Sequence, residues 1–168
     1  MNKTLSRKIE NKKEVFAWSM YDFANQPFTN LVVTFIYGTF FTTVIASNEI
    51  EGTQQWSHAV SITAIIVALL SPVMGAVADR GGYRKMFMFG FTWLTIVATT
   101  VLYFVLPGEV YRALFWFVIA NIGFEMGSVF CNAYLPDISH SKNIGRISGY
   151  GWSLGYVGGL IALALAMV

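Results

Sequence analysis

Residues 113–135 read ALFWFVIANIGFEMGSVFCNAYL, with Glu125 the single charge among them. A run of this length crosses the hydrocarbon core of a bilayer as one α-helix, which takes about 20 apolar residues. The run does not alternate apolar and polar residues, as a strand of a closed β-barrel must. A carboxylate near the middle of such a helix is costly in lipid, so it turns to a bundle interior or a watery cavity. This stretch predicts a membrane-spanning helix in a chain that handles something polar.

Four further apolar runs flank it. Spans are expected near 23–46, 56–78, 87–106, 113–135 and 147–168, joined by short polar links at 47–55, 79–86, 107–112 and 136–146. Short links make successive spans antiparallel neighbours. The expected fold class is all-α, a polytopic membrane helix bundle, with a basic tail at 1–14 and a membrane domain at 15–168. Composition agrees. The chain is 55% apolar and 12% charged with a mean hydropathy of +0.56, whereas a soluble domain carries about 25% charged residues. The lone cysteine, Cys131, excludes an internal disulfide and a multi-cysteine metal site. The basic start lacks the short apolar segment and small-residue cleavage site of a signal peptide.

Charge placement predicts orientation. Lys3, Arg7, Lys8, Lys12 and Lys13 precede the first span. Arg80, Arg84 and Lys85 fall in the second link, and Lys142 and Arg146 in the fourth. Only Arg112, of the 11 basic residues, falls in an odd link. The positive-inside rule makes the basic side cytoplasmic, with the N-terminus inside and Glu49, Glu51 and Glu109 outside. The expected location is a bacterial inner (plasma) membrane. The fifth span is still apolar at Ala166-Met167-Val168, an ending that predicts a truncated fragment of a longer protein.

Two polar stripes are candidates for chemistry. Asn121, Glu125, Ser128 and Asn132 follow at spacings of four, three and four, which places them on one face of the fourth span. A carboxyl that takes up and releases a proton with access to each side couples many transporters to a proton gradient. The same carboxyl, kept neutral, would serve as hydrogen-bonding glue between helices. Asp22, with Gln26, Asn30, Thr34 and Tyr37, forms the second stripe, along the first span. Asp22 reads equally as a substrate or proton site and as an interfacial acid at a helix start. Pro27 removes a backbone donor within this stripe and can kink the helix, freeing carbonyls to face a cavity.

The second link, Gly75-Ala-Val-Ala-Asp79-Arg80-Gly81-Gly82-Tyr83-Arg84-Lys85, is the most specific local signal. Gly81 and Gly82 permit a tight turn between antiparallel helices, and Arg80, Arg84 and Lys85 can pair with Asp79 or reach lipid phosphates. The order resembles the signature Gly-x-x-x-Asp-Arg-x-Gly-Arg-Arg between the second and third spans of the Major Facilitator Superfamily. Gly75, Asp79, Arg80 and Gly82 match in place, and Tyr83 stands where the first following arginine is expected. The resemblance implies a gating loop in which Asp79 steadies the inward-closed state through partners across two halves of a transporter.

Three further segments narrow the branch: Trp18-Ser-Met-Tyr21-Asp22-Phe-Ala-Asn25, Asn132-Ala-Tyr134-Leu-Pro136-Asp137, and Gly151-Trp-Ser-Leu-Gly155-Tyr156-Val-Gly158-Gly159. Together they are similar to bacterial relatives of the vacuolar amino-acid effluxer (autophagy-related) family. The resemblance implies a twelve-span transporter of two six-helix halves. The five spans here would belong to the N-terminal half, and the missing C-terminal half would be a partner. Gly151, Gly155 and Gly159 form overlapping Gly-x-x-x-Gly pairs, read as helix packing. Tyr156 departs from the proline of the superfamily's antiporter signature.

His58 and His140 are read as interfacial or link residues. No phosphate loop, nucleophile with an adjacent base, or His-Glu-x-x-His metal spacing occurs, so no enzyme, cofactor or metal is expected. The basic tail suits anionic lipid rather than nucleic acid. The expectation is a secondary active transporter for a small polar solute such as an amino acid, proton-coupled, set in a lipid bilayer. The rival is a five-span scaffold or assembly subunit without transport.

Overall fold

A computed structural model describes residues 11–168. Lys3, Arg7, Lys8 and the rest of the tail up to residue 10 lie outside the described residues. Asn11 starts α1 (Lys12–Pro27), its side chain accepting the Lys13 N–H at 3.2 Å, which satisfies one of the free donors at a helix start.

The first span does not continue as a regular α-helix. From Pro27 the backbone widens over Phe28–Phe35, bends at Ile36, forms a short α2 (Tyr37–Phe40) and widens again over Phe41–Ile45. The Ile36 N–H bonds Leu31 O at 3.1 Å and the Ala46 N–H bonds Phe41 O at 2.9 Å, each five residues back. Pro27, which has no N–H to give, sits at the first transition. Wide turns of this kind free carbonyls, and they occur often at functional sites. Val33 O accepts the Trp56 indole N–H at 3.2 Å.

After Asn48, which caps the next helix through Glu51 N–H at 2.9 Å, α3 runs Glu49–Gly81 and stops at Gly82. Gly82 has φ +67°, and its N–H closes onto Ala78 O. Only glycine adopts this left-handed C-terminal cap without strain, which explains the glycine there. The remaining helices are α4 (Arg84–Leu102), α5 (Val110–Asn132), a single turn α6 (Leu135–Ile138), and α7 (Ile144–Ala166). Among the described residues, five helical segments are long and apolar enough to cross a membrane: Lys12–Ile45, Glu49–Gly81, Arg84–Leu102, Val110–Ile138 and Ile144–Ala166.

The bundle is built around α5. On α4, Thr95 Oγ1 lies 3.4 Å from Ala120 O, and Gly123 leaves room for Thr95 and the Phe91 carbonyl. Phe130 stacks on Phe87 and Phe91, with centroids at 5.4 and 5.8 Å. On α3, the Trp56 ring packs 3.9 Å from that of Phe117. On the first span, Phe28 stacks on Phe124 at 5.0 Å. In contrast, α7 packs on α1. Gly151 meets Trp18, Gly155 meets Asp22, Gly158 meets the Phe23 carbonyl and Gly159 meets Asn30, so the two helices run parallel. Ile62, Ile65, Leu69 and Val73 of α3 point outward.

Candidate functional site

The α5 stripe straddles the boundary between packed and open surface. Asn121 is buried. Ser128 is half-buried and accepts a hydrogen bond from Asn25 Nδ2 at 3.1 Å. Glu125 and Asn132 are exposed. The seam beside them is tightly joined: the Trp18 indole N–H bonds Cys131 O at 2.9 Å, and the Tyr21 hydroxyl pairs with Thr92 Oγ1 at 3.0 Å. Gly127 leaves space for the Tyr21 ring end.

The second stripe faces elsewhere. Asp22, Gln26 and Asn30 are half-buried and turned to the glycine face of α7. A Cβ on Gly151 would come within 3.2 Å of Asp22 Oδ2, and one on Gly159 within 3.3 Å of Gln26 Cγ. Gly151, Gly155 and Gly159 thus admit polar side chains and backbone of α1. Among the described residues no hydrogen bond or ion pair joins Asp22 to Glu125. Asn25, one turn beyond Asp22, makes the polar link between the two helices. Thr34 is exposed, and the Tyr37 hydroxyl is buried without a partner among the described residues.

A charged latch closes the basic end. Arg84 Nε donates to Asp79 Oδ1 at 2.6 Å, and its Nη1 donates to Asp137 Oδ2 at 2.9 Å and to Ala133 O at 3.3 Å. One guanidinium, suited to forked contacts, therefore ties the end of α3, the start of α4 and the segment after α5. Arg80 and Lys85 are exposed beside it. Gly75 meets no atom within 4 Å of an added Cβ, so that position on α3 is open here.

Asn25, Asp137, Trp18 and Tyr21 are the contact-forming residues that the stripes did not single out. Their signal was present in the quoted segments, but their partners lie 53 to 113 positions away. No group of three or more His, Cys, Asp or Glu side chains among the described residues could hold a metal ion.

These features define an all-α integral membrane helix bundle, consistent with part of a Major Facilitator fold. The family described as "Vacuole effluxer Atg22 like" matches residues 45–145. The "Uncharacterized MFS-type transporter YxiO" of Bacillus subtilis is 30% identical over 159 residues, 92% of this chain and 37% of the relative. An uncharacterized protein of Aquifex aeolicus is 32% identical over 154 residues, 90% of this chain and 38% of the relative. "Autophagy-related protein 22" of Coccidioides immitis is 34% identical over 79 residues, 47% of this chain and 13% of the relative. The chain belongs to the vacuole effluxer Atg22-like family, a family of Major Facilitator-type transporters rather than enzymes. It spans a little over a third of the length of the two bacterial relatives. No solved structure matches it significantly.

Proposed function

We propose that this chain forms part of a secondary active transporter that moves a small polar solute, of the amino-acid class, by alternating access coupled to protons. In this reading α1 and α5 line a central cavity. Glu125 and Asp22 bind protons or a cationic group of the solute, and Gln26, Asn30, Asn121, Ser128 and Asn132 bind its polar parts. The observation that carries the reading is Glu125, the one charge of residues 113–135, a mid-span carboxylate that is exposed, as is Asn132, while Asn121 and Ser128 of the same stripe are packed. Lipid is a poor neighbour for that carboxylate, so water and an opposing protein half are its natural surroundings. The widened first span adds support, since transporter sites are commonly built on interrupted helices.

The latch at Arg84 serves as the gate of this cycle, with Asp79 exchanging partners as the basic end opens. The basic end faces the cytoplasm of a bacterial cell. Lys12, Arg84, Lys142 and Arg146 gather there, as the positive-inside rule requires.

The test is the full-length gene product in proteoliposomes with an imposed pH gradient, screened against radiolabelled amino acids. Glu125→Gln abolishes gradient-driven uptake while solute exchange at equal pH persists. Unchanged gradient-driven uptake refutes the coupling role. Asp79→Asn slows turnover with little change in solute binding, and loss of binding at unchanged turnover contradicts the gate assignment.

A further inference from the structure

The charges inside the bundle are of one sign. Away from the ends of the five membrane segments, the charged side chains are Asp22 and Glu125. Neither has an ion-pair or hydrogen-bond partner among the described residues. An acid at this depth ordinarily pairs with a base or lines a watery cavity. The described arginines and lysines stand at helix ends instead, Arg84 in the latch and Arg112 on Glu109 among them.

Helix geometry sets both acids on one side of the α1–α5 seam. Trp18 meets Cys131, Asn25 meets Ser128 and Phe28 meets Phe124, so α1 and α5 run antiparallel. Asp22 and Gln26 follow the seam residues Tyr21 and Asn25 by one position, as Glu125 and Asn132 follow Phe124 and Cys131. One position turns about 100° around a helix, and in antiparallel partners both turns lead to the same side. Gly123 and Gly127, one position before Phe124 and Ser128, turn to α4 on the other side. From the shared level of Asn25 and Ser128, Asp22 is three residues toward the basic end and Glu125 three residues away from it, roughly 9 Å apart along the axes. At that separation each carboxylate needs its own partner. Glu125 is exposed, whereas Asp22 is half-buried against Gly151 and Gly155, which have no side chain to pair with it.

We propose that the solute of this site carries net positive charge, a basic amino acid rather than a neutral or acidic one. Asp22 holds its side-chain ammonium or guanidinium, and Gln26 and Asn132 serve its polar remainder. The inference rests on the transport reading above, in which Glu125 takes the proton, and narrows its solute. A neutral side chain would leave the Asp22 charge unmatched, and an acidic one would set a like charge against it, the arrangement by which binding sites reject wrong partners.

The experiment is equilibrium binding of radiolabelled lysine to the full-length gene product in nanodiscs, with norleucine, cadaverine and glutamate as competitors. Norleucine has the stem of lysine without the ammonium, so the pair isolates one charge. Lysine binds about 10- to 100-fold tighter than norleucine, the worth of one charge-assisted hydrogen bond. Cadaverine competes and glutamate does not. Asp22→Asn, which keeps the side-chain volume, brings lysine and norleucine within about threefold of each other, and Asp22→Glu restores the preference. Norleucine or glutamate binding as tightly as lysine overturns the proposal. So does a preference that survives Asp22→Asn, and so does the absence of lysine binding at millimolar concentration. Failure here is separable from failure of the transport reading: a neutral amino acid whose gradient-driven uptake is lost in Glu125→Gln leaves proton coupling standing and removes only the cation. Circular dichroism of each variant keeps a folding defect from being read as a lost site.

Discussion

Gly158→Ala places a single methyl group between α1 and α7, and its cost can be worked from the contacts. A Cβ at residue 158 lands on the Phe23 carbonyl oxygen, 2.9 Å from its carbon and 3.1 Å from Cα. These are backbone atoms and cannot rotate away. Carbon-to-oxygen contacts between packed helices sit at about 3.3–3.6 Å, so the helices must separate by roughly 1 Å or lose the contact. Overpacking of this kind costs about 1–3 kcal/mol. Two positions on the same helix serve as references. Gly149 has nothing within 4 Å of an added Cβ, and Gly155 meets Asp22 atoms at 3.6–3.8 Å, an ordinary contact. Both alanine variants share with Gly158→Ala the gain in helix propensity, up to about 1 kcal/mol, so differences among the three isolate the clash. Unfolding in mixed micelles with rising SDS, followed by tryptophan fluorescence, reads them directly because Trp18 lies in this interface. Gly158→Ala falls about 1–3 kcal/mol below Gly149→Ala, while Gly155→Ala stays within about 0.5 kcal/mol of it. If Gly158→Ala is as stable as Gly149→Ala, α1 and α7 are not packed at this distance and the glycine-face reasoning is refuted.

The latch and the outer turn give further expectations. Arg84→Gln removes two exposed ion pairs, each worth about 0.2–1 kcal/mol, so the same assay should show a loss near 1 kcal/mol, and Asp137→Asn should lose less. Combining Arg84→Gln with Asp79→Asn is less than additive, because both disrupt one network; full additivity would mean the Arg84–Asp79 pair at 2.6 Å carries no coupling. At the opposite end, Glu109 Oε2 accepts the Leu106 N–H at 2.9 Å and pairs with Arg112 at 3.1 Å, which holds its carboxyl below the ordinary 4.5, the backbone bond being the larger cause. A depressed carboxyl contributes above its unfolded value and loses that contribution as pH falls through its folded value. Hydrogen exchange at Leu106 therefore keeps its protection above about pH 5, after correction for intrinsic rates. It loses protection below the ordinary carboxylate range, and Glu109→Gln removes this pH dependence.

The spans were legible because a bilayer imposes one rule, about 20 apolar residues in helical form, and residues 113–135 satisfy it on sight. The polar residues of α5 were legible as a set, since a spacing of three and four fixes a shared face whatever surrounds it. Which part of that face turns inward was not legible. Asn121 and Ser128 pack while Glu125 and Asn132 do not, and the difference is set by where α1 and α4 lie. The Asp22 stripe shows the same limit: periodicity gathers Asp22, Gln26 and Asn30, but only the parallel packing of α7 on α1 sends them to the glycine face. Pro27 signalled a disturbance in the first span, yet nothing local announces that the backbone would widen as far as Ile45. Arg84 was legible as part of a signature. Its second partner, Asp137, is 53 positions away and is joined to it by the fold alone.

The first span is held on its two sides by interactions of different kinds. Toward α5 and α4 the contacts are directional: the Trp18 indole to Cys131 O, the Asn25 amide to Ser128, the Tyr21 hydroxyl to Thr92, and the stacked pair Phe28–Phe124. Breaking them together would cost several hydrogen bonds in a medium that offers few substitutes. Toward α7 the contact at Gly151, Gly155, Gly158 and Gly159 is steric, glycine against backbone and side-chain atoms of α1. A face of this kind resists separation through close packing, with α1 side chains seated in the gaps the glycines leave. The α1–α5 seam is therefore held by directional bonds and the α1–α7 seam by close packing.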